Sequence, residues 1–166
     1  EPWDFKLDGD PTELIKAMTK VMFNPNHPGI GLAAPQLGVM KNIFIMGTDE
    51  KLMAFINPQV DELSSLVTRS FLEGCLSYPD LWLHVRRHTE CVVSYHQIDG
   101  EIVKEKHMEG IQARVFLHEY DHLLGVTFDE RVTSELSLEL AKKRRAKKKR
   151  QIAKMAKRLS KSSSPV

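Results

Sequence analysis

Two histidines and a glutamate inside an apolar stretch free of glycine and proline constrain this chain more than any other feature. Ile111 to Leu124 contains neither breaker and stops at Gly125, which predicts a helix closed by a left-handed glycine. Within it runs His118-Glu119-Tyr120-Asp121-His122, flanked by Val115-Phe116-Leu117 and Leu123-Leu124. Residues four apart share a helix face, so both imidazoles point the same way. The apolar flanks predict burial, and burying two imidazoles and a carboxylate without partners is costly. A divalent metal resolves that cost. Neutral imidazoles bind Zn or Fe(II), and a metal so held acidifies water. Glu119 is then placed to take the water's proton and return it to a leaving amine.

Two histidines leave such a site short of a third protein ligand. One peptidase class supplies a third His after His-Glu-x-x-His-x-x-Gly-x-x, but that position here is Phe128. Glu135 and Glu139 border a basic segment and read as solvated. The two cysteines, Cys75 and Cys91, are too few for a disulfide scaffold. A thiolate with two imidazoles makes a tetrahedral set with one open position. Cys75 lies in Glu73-Gly74-Cys75-Leu76-Ser77, where Gly74 lets backbone approach closely. Cys91 lies in a β-like run and reads as a small buried apolar residue. The local context favours Cys75.

The remaining pattern predicts a mixed α+β domain with short strands, a central helix and a C-terminal helix. Its 166 residues suit one compact body. Asp10-Pro11-Thr12-Glu13 reads as a helix start, with Asp10 capping and Pro11 first in the helix. Leu14, Met18, Val21 and Met22 are its expected buried stripe. Residues 30–107 read mostly as β: Ile43–Met46, then Ala54–Ile56 stopped by Asn57-Pro58, then Cys91–Tyr95. Asp99-Gly100 is a two-residue hairpin signal. Met22, Met40, Met46 and Met53 are expected to fill the core. His27, His84, His88, His96 and His107 lack ligand spacing and read as surface or structural. No run of 18 apolar residues is present, so no spanning helix is expected. No signal peptide is visible, and a cytoplasmic location is expected, or a host cytoplasm or organelle for a viral or nuclear-encoded chain.

The formal charge of +2 is a cancellation. Residues 1–140 carry all 22 acidic groups against 12 Lys/Arg, a balance of −10, and residues 141–166 carry 12 Lys/Arg and no acid. Such asymmetry suggests a tail that meets a polyanion. RNA phosphate, anionic lipid and the protein's own acidic body all fit that pattern. Ile152, Met155, Ala156 and Leu159 recur at helical spacing within it, and Ser162–Pro165 should fray. The expected division is a catalytic unit over 1–134, a basic helix over 135–161 and a disordered end over 162–166. The chemistry is expected to need only the first.

Three blocks occur in order: Gly29-Ile30-Gly31-Leu32-Ala33-Ala34-Pro35-Gln36, Glu73-Gly74-Cys75-Leu76-Ser77 and His118-Glu119-Tyr120-Asp121-His122. Together they closely resemble the signature motifs of peptide deformylases, over roughly residues 10–132. The resemblance implies a metal-dependent hydrolase of protein biosynthesis that removes the formyl group from formyl-methionyl nascent peptides and releases formate. It implies that Cys75, His118 and His122 hold one divalent metal, natively Fe(II), with Zn, Ni or Co accepted by the same ligands. It implies Glu119 as general acid and base, with the Gln36 amide and the Leu76 backbone N–H as oxyanion donors. Gly31 with Ile30 would pair with the extended substrate as an added strand, beside Gly74. Ile30, Glu73 and Val115 fall where the family builds its methionine pocket. Some members dock a basic C-terminal helix on the ribosome, which points residues 141–161 to the same partner.

The chain departs from the family pattern in places. Leu117 replaces the usual Gln before the first histidine, which removes any hydrogen bond from that position. Trp82 stands where some members place a basic residue near the substrate entrance. The segment ahead of the first helix is mostly missing, as in a trimmed or shortened N-terminus. Two other readings stay open on the residues alone: a peptidase of the His-Glu-x-x-His type, and a ribosome- or RNA-binding module with a structural metal.

Overall fold

The computed structural model describes residues 1–64, 68–132 and 134–162, with side chains as far as Lys154. Its elements run α1 (Thr12–Met22), β1 (Gly31–Ala33), a 3-10 turn (Ala34–Leu37), β2 (Ile43–Thr48), β3 (Lys51–Leu63), β4 (Thr68–Gly74), β5 (Trp82–His88), β6 (Glu90–His96), β7 (Ile102–Glu109), α2 (Gly110–Leu123), a 3-10 turn (Phe128–Arg131) and α3 (Glu135–Ser162). Five strands form one antiparallel sheet in the order β1-β2-β3-β6-β7, and β4 and β5 form a separate ribbon. The expected α+β architecture around a central helix is the observed one.

Strand β2 explains the layering. Its run Ile43-Phe44-Ile45-Met46 is buried throughout. Side chains alternate across a sheet, so the run feeds two cores. Ile43 and Ile45 pack with Ile15, Met18 and Met22 of α1. Phe44 and Met46 pack with Phe116 and Leu117 of α2. Rings of Phe44, Phe55 and Phe116 meet with centroids 4.9–5.3 Å apart. A continuous apolar strand is thus the mark of a sheet covered on both faces. A third core joins Cys75, Leu81, Leu83, Val85 and Phe128, with Leu138 and Ala141 of α3 packed against it.

Several expectations change in detail. Helix α1 buries Ile15, Met18 and Met22, while Leu14 is half-buried and Val21 is exposed. Pro11 is its cap residue, and the Asp10 carboxylate accepts from the Thr12 backbone N–H and hydroxyl instead. Strand β3 does not stop at Asn57-Pro58. It continues to Leu63 through a register shift between Ile56 and Gln59, where a proline costs no ladder bond. Asn57 sits there at φ +48°, held by paired hydrogen bonds to the backbone of Trp3. The β6–β7 connection takes five residues, 97–101, because His96 pairs with Ile102, and Gly100 supplies its positive φ of +85°. Met40 is 61% exposed and fills no core. The expected fraying at 162–166 falls outside the described residues beyond Ser162, the last residue of α3.

Phe116 touches two aromatic rings of the sheet and is fully buried. Phe116→Ala should cost about 3–5 kcal/mol of unfolding free energy, read as a lower urea midpoint with an unchanged denaturant slope.

Candidate metal centre

Helix α2 carries His118, Glu119 and His122 toward the ribbon, and all three are buried. The helix ends as the glycine pattern requires, with Gly125 at φ +75°. Strand β4 ends at Gly74 and delivers Cys75 to the same point. Ligand atoms of Cys75, His118 and His122 lie within 4.8 Å of one another. Cys75 Sγ is 3.2 Å from His122 Nε2. A metal at tetrahedral bond lengths separates sulfur and nitrogen ligands by about 3.5 Å, so the donor set fits a divalent ion. Cys91 takes no part. It is buried in the core beneath α2, where desolvation pushes its thiol up to about 11.

The neighbours of the triad hold it in shape. His118 Nδ1–H donates to Glu73 Oε2 at 2.9 Å, which fixes the tautomer and leaves Nε2 free for a ligand. Arg87 Nε donates to the other oxygen, Glu73 Oε1, at 2.8 Å, and Arg87 Nη1 donates to Asp121 Oδ2 at 2.8 Å. Arg131 Nη2 closes the chain on Asp121 Oδ1 at 2.7 Å. Glu73 borders the cleft, yet both of its oxygens are engaged, so it is neither a surface charge nor a free pocket group. Burial raises the Glu73 pKa, but the hydrogen bonds from His118 and Arg87 outweigh it and keep the carboxyl low. Leu117, just before the first histidine, packs into the core beneath α2. Arg87 lies in no motif, whereas Asp121 sits inside the His118–His122 block, where ligand spacing gives it no role. The signal for Arg87 is the alternation Leu83-x-Val85-x-Arg87, which puts the guanidinium on the buried face of β5.

Charge at the triad is tuned from both sides. Burial would raise the Cys75 thiol, but hydrogen bonds with His118 and His122 bring it down to about 6. Burial opposes a charged His118, while Cys75 and Glu73 push it up to about 10. Cys75 is thus a thiolate near neutrality, and the His118 proton is one that a divalent ion would displace on binding. Desolvation raises the Glu119 carboxyl to about 7, against the lowering effect of the two histidines. Its Oε2 is buried with no hydrogen-bond partner. A buried polar atom left open in this way beside three convergent ligands is suited to a reacting proton rather than to structure.

A cleft of about 520 Å³ opens over the triad, with Glu119 and His118 in its wall. Ile30, Gly31, Gln36, Gly74, Leu76 and Val115 of α2 line it as well. Gly31 must lack a side chain, because a Cβ there would strike the Glu119 carboxylate. Gln36 is anchored: its Oε1 accepts from Ala33 N–H at 2.8 Å, and its Nε2 donates to Ser77 Oγ at 2.9 Å and lies 3.5 Å from Cys75 Sγ. Trp82 lies over Gly74 at the opening and is exposed. Phe128, where a third histidine would stand, is buried with its ring 5.9 Å from that of His118.

The sequence model for polypeptide deformylase matches residues 1–137. The chain belongs to the polypeptide deformylase family. The peptide deformylase of Thermotoga maritima is 38% identical over 138 residues, covering 83% of this chain and 82% of that protein. Its crystal structure superposes with a TM-score of 0.73 at 36% identity, covering 81% of this chain and 88% of that one. The peptide deformylase of Synechococcus elongatus in complex with actinonin gives 0.74 at 34% identity, covering 81% of this chain and 71% of that one. This deformylase is therefore a metal-dependent hydrolase that removes N-terminal formyl groups, and the buried Cys75, His118 and His122 triad fits the metal of such an enzyme. Among the described residues no helix is long and apolar enough to cross a membrane.

Glu73→Gln removes the charge that orients His118 and strands Arg87 beside a neutral amide. Metal affinity should fall about 10–100-fold, measured by competition with a chromogenic chelator.

Proposed function

We propose that this deformylase acts on formyl-methionyl peptides, and that Glu119, Gln36 and the Leu76 backbone N–H perform the chemistry. The observation that carries this reading is the unpartnered Glu119 Oε2, buried beside the Cys75–His118–His122 triad. Cys75, His118 and His122 would hold a divalent ion, which would supply an acidified water and polarisation of a carbonyl oxygen. Glu119 takes a proton from water as the new C–O bond forms at the formyl carbon. The carbonyl π electrons move onto oxygen, and the negative charge meets the Gln36 Nε2–H and the Leu76 N–H. Gln36 is prepared for this, because its carbonyl is already tied to Ala33. When the C–N bond breaks, Glu119 delivers its proton to the departing nitrogen, and formate leaves. A carboxyl raised to about 7 suits a group that must both accept and donate near neutrality.

Substrate binding follows from the walls of the cleft. Ile30 is 52% exposed there and with Val115 offers an apolar seat for a methionine side chain. Gly31, with Ile30, and Gly74 line the cleft, where an extended peptide backbone would add as a strand. Glu73 serves by orienting His118 rather than by touching the methionine. Fe(II) is the native metal that the family resemblance favours, while the thiolate and imidazole ligands accept Zn, Ni and Co equally.

The basic helix over 141–161 extends the proposal to delivery. Twelve Lys/Arg without an acid over 141–166 suit the phosphates of ribosomal RNA, and nascent peptides start there. A cytoplasmic, translation-linked role follows, in which residues 1–134 catalyse and 135–161 dock.

Two measurements test this reading. Protein purified anaerobically with Fe(II) should release formate from a formyl-Met tripeptide. Glu119→Gln should keep the metal and lose at least about a thousandfold in kcat, whereas Cys75→Ala should lose the metal itself. Full activity of Glu119→Gln would remove it as the base. Separately, deleting residues 149–166 should reduce ribosome co-sedimentation at low salt and leave turnover of small peptides intact. Unchanged sedimentation would remove the tail's assigned role.

A further inference from the structure

The cleft has a rim made by the turn that follows Cys75. Tyr78 N–H donates to Cys75 O at 2.9 Å, and Leu81 N–H donates to Tyr78 O at 3.1 Å. Between them Asp80 adopts φ +65°, a conformation that non-glycine residues keep only where surroundings support it. Tyr78, Pro79 and Asp80 all border the cleft. The same turn leads directly from a metal ligand, so its position and the shape of the substrate site are linked.

What supports this turn comes from the far end of the chain. Leu138 and Ala141 of α3 pack against the core that contains Cys75 and Leu81. One turn further on, Arg145 Nε donates to the Pro79 carbonyl at 2.8 Å, with its guanidinium 6.0 Å from the centre of the Tyr78 ring. Lys148 Nζ binds Asp80 Oδ1 at 2.5 Å, and that contact is the largest cause holding the Asp80 carboxyl below its ordinary value. Arg145 and Lys148 are three apart and therefore share one helix face. Two of the tail's twelve cations are thus spent on consecutive residues of the rim.

We propose that Arg145 and Lys148 are positioning residues for substrate, clasping the Tyr78–Asp80 turn so that α3 forms the outer brace of the formyl-peptide cleft. The inference rests on the cleft being the substrate site. Catalysis stays with Glu119 and the triad, and α3 sets how well the peptide is held. An ion pair as exposed as Asp80–Lys148 contributes little to global stability, so its loss acts locally on the rim rather than on folding. The charge pattern alone presents the tail as an appendage to an independent body, and the clasp makes part of it a component of the site.

The test is steady-state formate release by the metal-loaded full chain, with a C-terminally amidated formyl-Met tripeptide to keep the tail's net charge out of KM. Lys148→Met should raise KM about threefold with kcat within about twofold. Asp80→Asn, which tolerates the positive φ, should do the same. The double variant should be no worse than either single one, since both remove one interaction. Lys148→Arg should restore KM, and Arg145→Leu combined with Lys148→Met should raise it about tenfold. Lys149→Met is the control for net charge and should leave KM unchanged. The proposal is overturned if KM is unmoved in Lys148→Met and in the Arg145–Lys148 double variant, if kcat falls instead, if the Asp80 and Lys148 effects add, or if Lys149→Met raises KM equally. Absence of any turnover by the unsubstituted protein would instead count against the substrate reading itself.

Discussion

A single buried guanidinium ties the parts of this deformylase together. Arg87 is 6% exposed and spans Glu73 on the neighbouring strand and Asp121 on the central helix. Its charge has little water to solvate it, so it depends on both carboxylates, and they depend on it. Through Glu73 the same group fixes the orientation of His118. Through Asp121 it fixes the helix turn that carries His122, with Arg131 gripping Asp121 from the following turn. Ribbon, helix and metal ligands are therefore registered by one network. Replacing one member alone leaves a buried charge without its partner, which is the costly direction.

Much of the architecture was legible because its signals are local. The breaker-free run ending at Gly125 declared α2, and the apolar run Ile43–Met46 declared β2. Where the reading slipped, a long-range partner had decided the outcome. Asn57-Pro58 reads as a stop, but paired bonds to Trp3, 54 residues away, hold Asn57 in its positive φ inside β3. Asp99-Gly100 reads as a tight hairpin, but the register of β6 on β7 set a longer loop. Helical periodicity alone put Leu14 and Val21 in the buried stripe, whereas Ile15 is the buried residue, because the isoleucines of β2 set the face that α1 turns inward.

The triad was legible for a different reason. Histidines four apart on an apolar helix are expensive unless something pays for them, and one cysteine beside a glycine completed the set. Glu73, Arg87 and Asp121 were harder, because each is a common residue whose role exists only once β4, β5 and α2 are packed. The clasp of Arg145 and Lys148 on the rim was harder still. Nothing distinguishes these two cations from their neighbours in the tail, and only the placement of α3 against the third core selects them.

Cys75 and His122 meet across 47 intervening steps of chain. An ion bound by both is, topologically, a cross-link. It closes a loop that includes β5, β6, β7 and most of α2, and closing so long a loop removes much of the freedom of the unfolded chain. The metal that makes this protein a hydrolase is thus also a staple. Binding free energy spent at the centre becomes folding free energy for the strands between its ligands. Loss of an ion held in this way would loosen the fold around the cleft that Cys75 and His118 line.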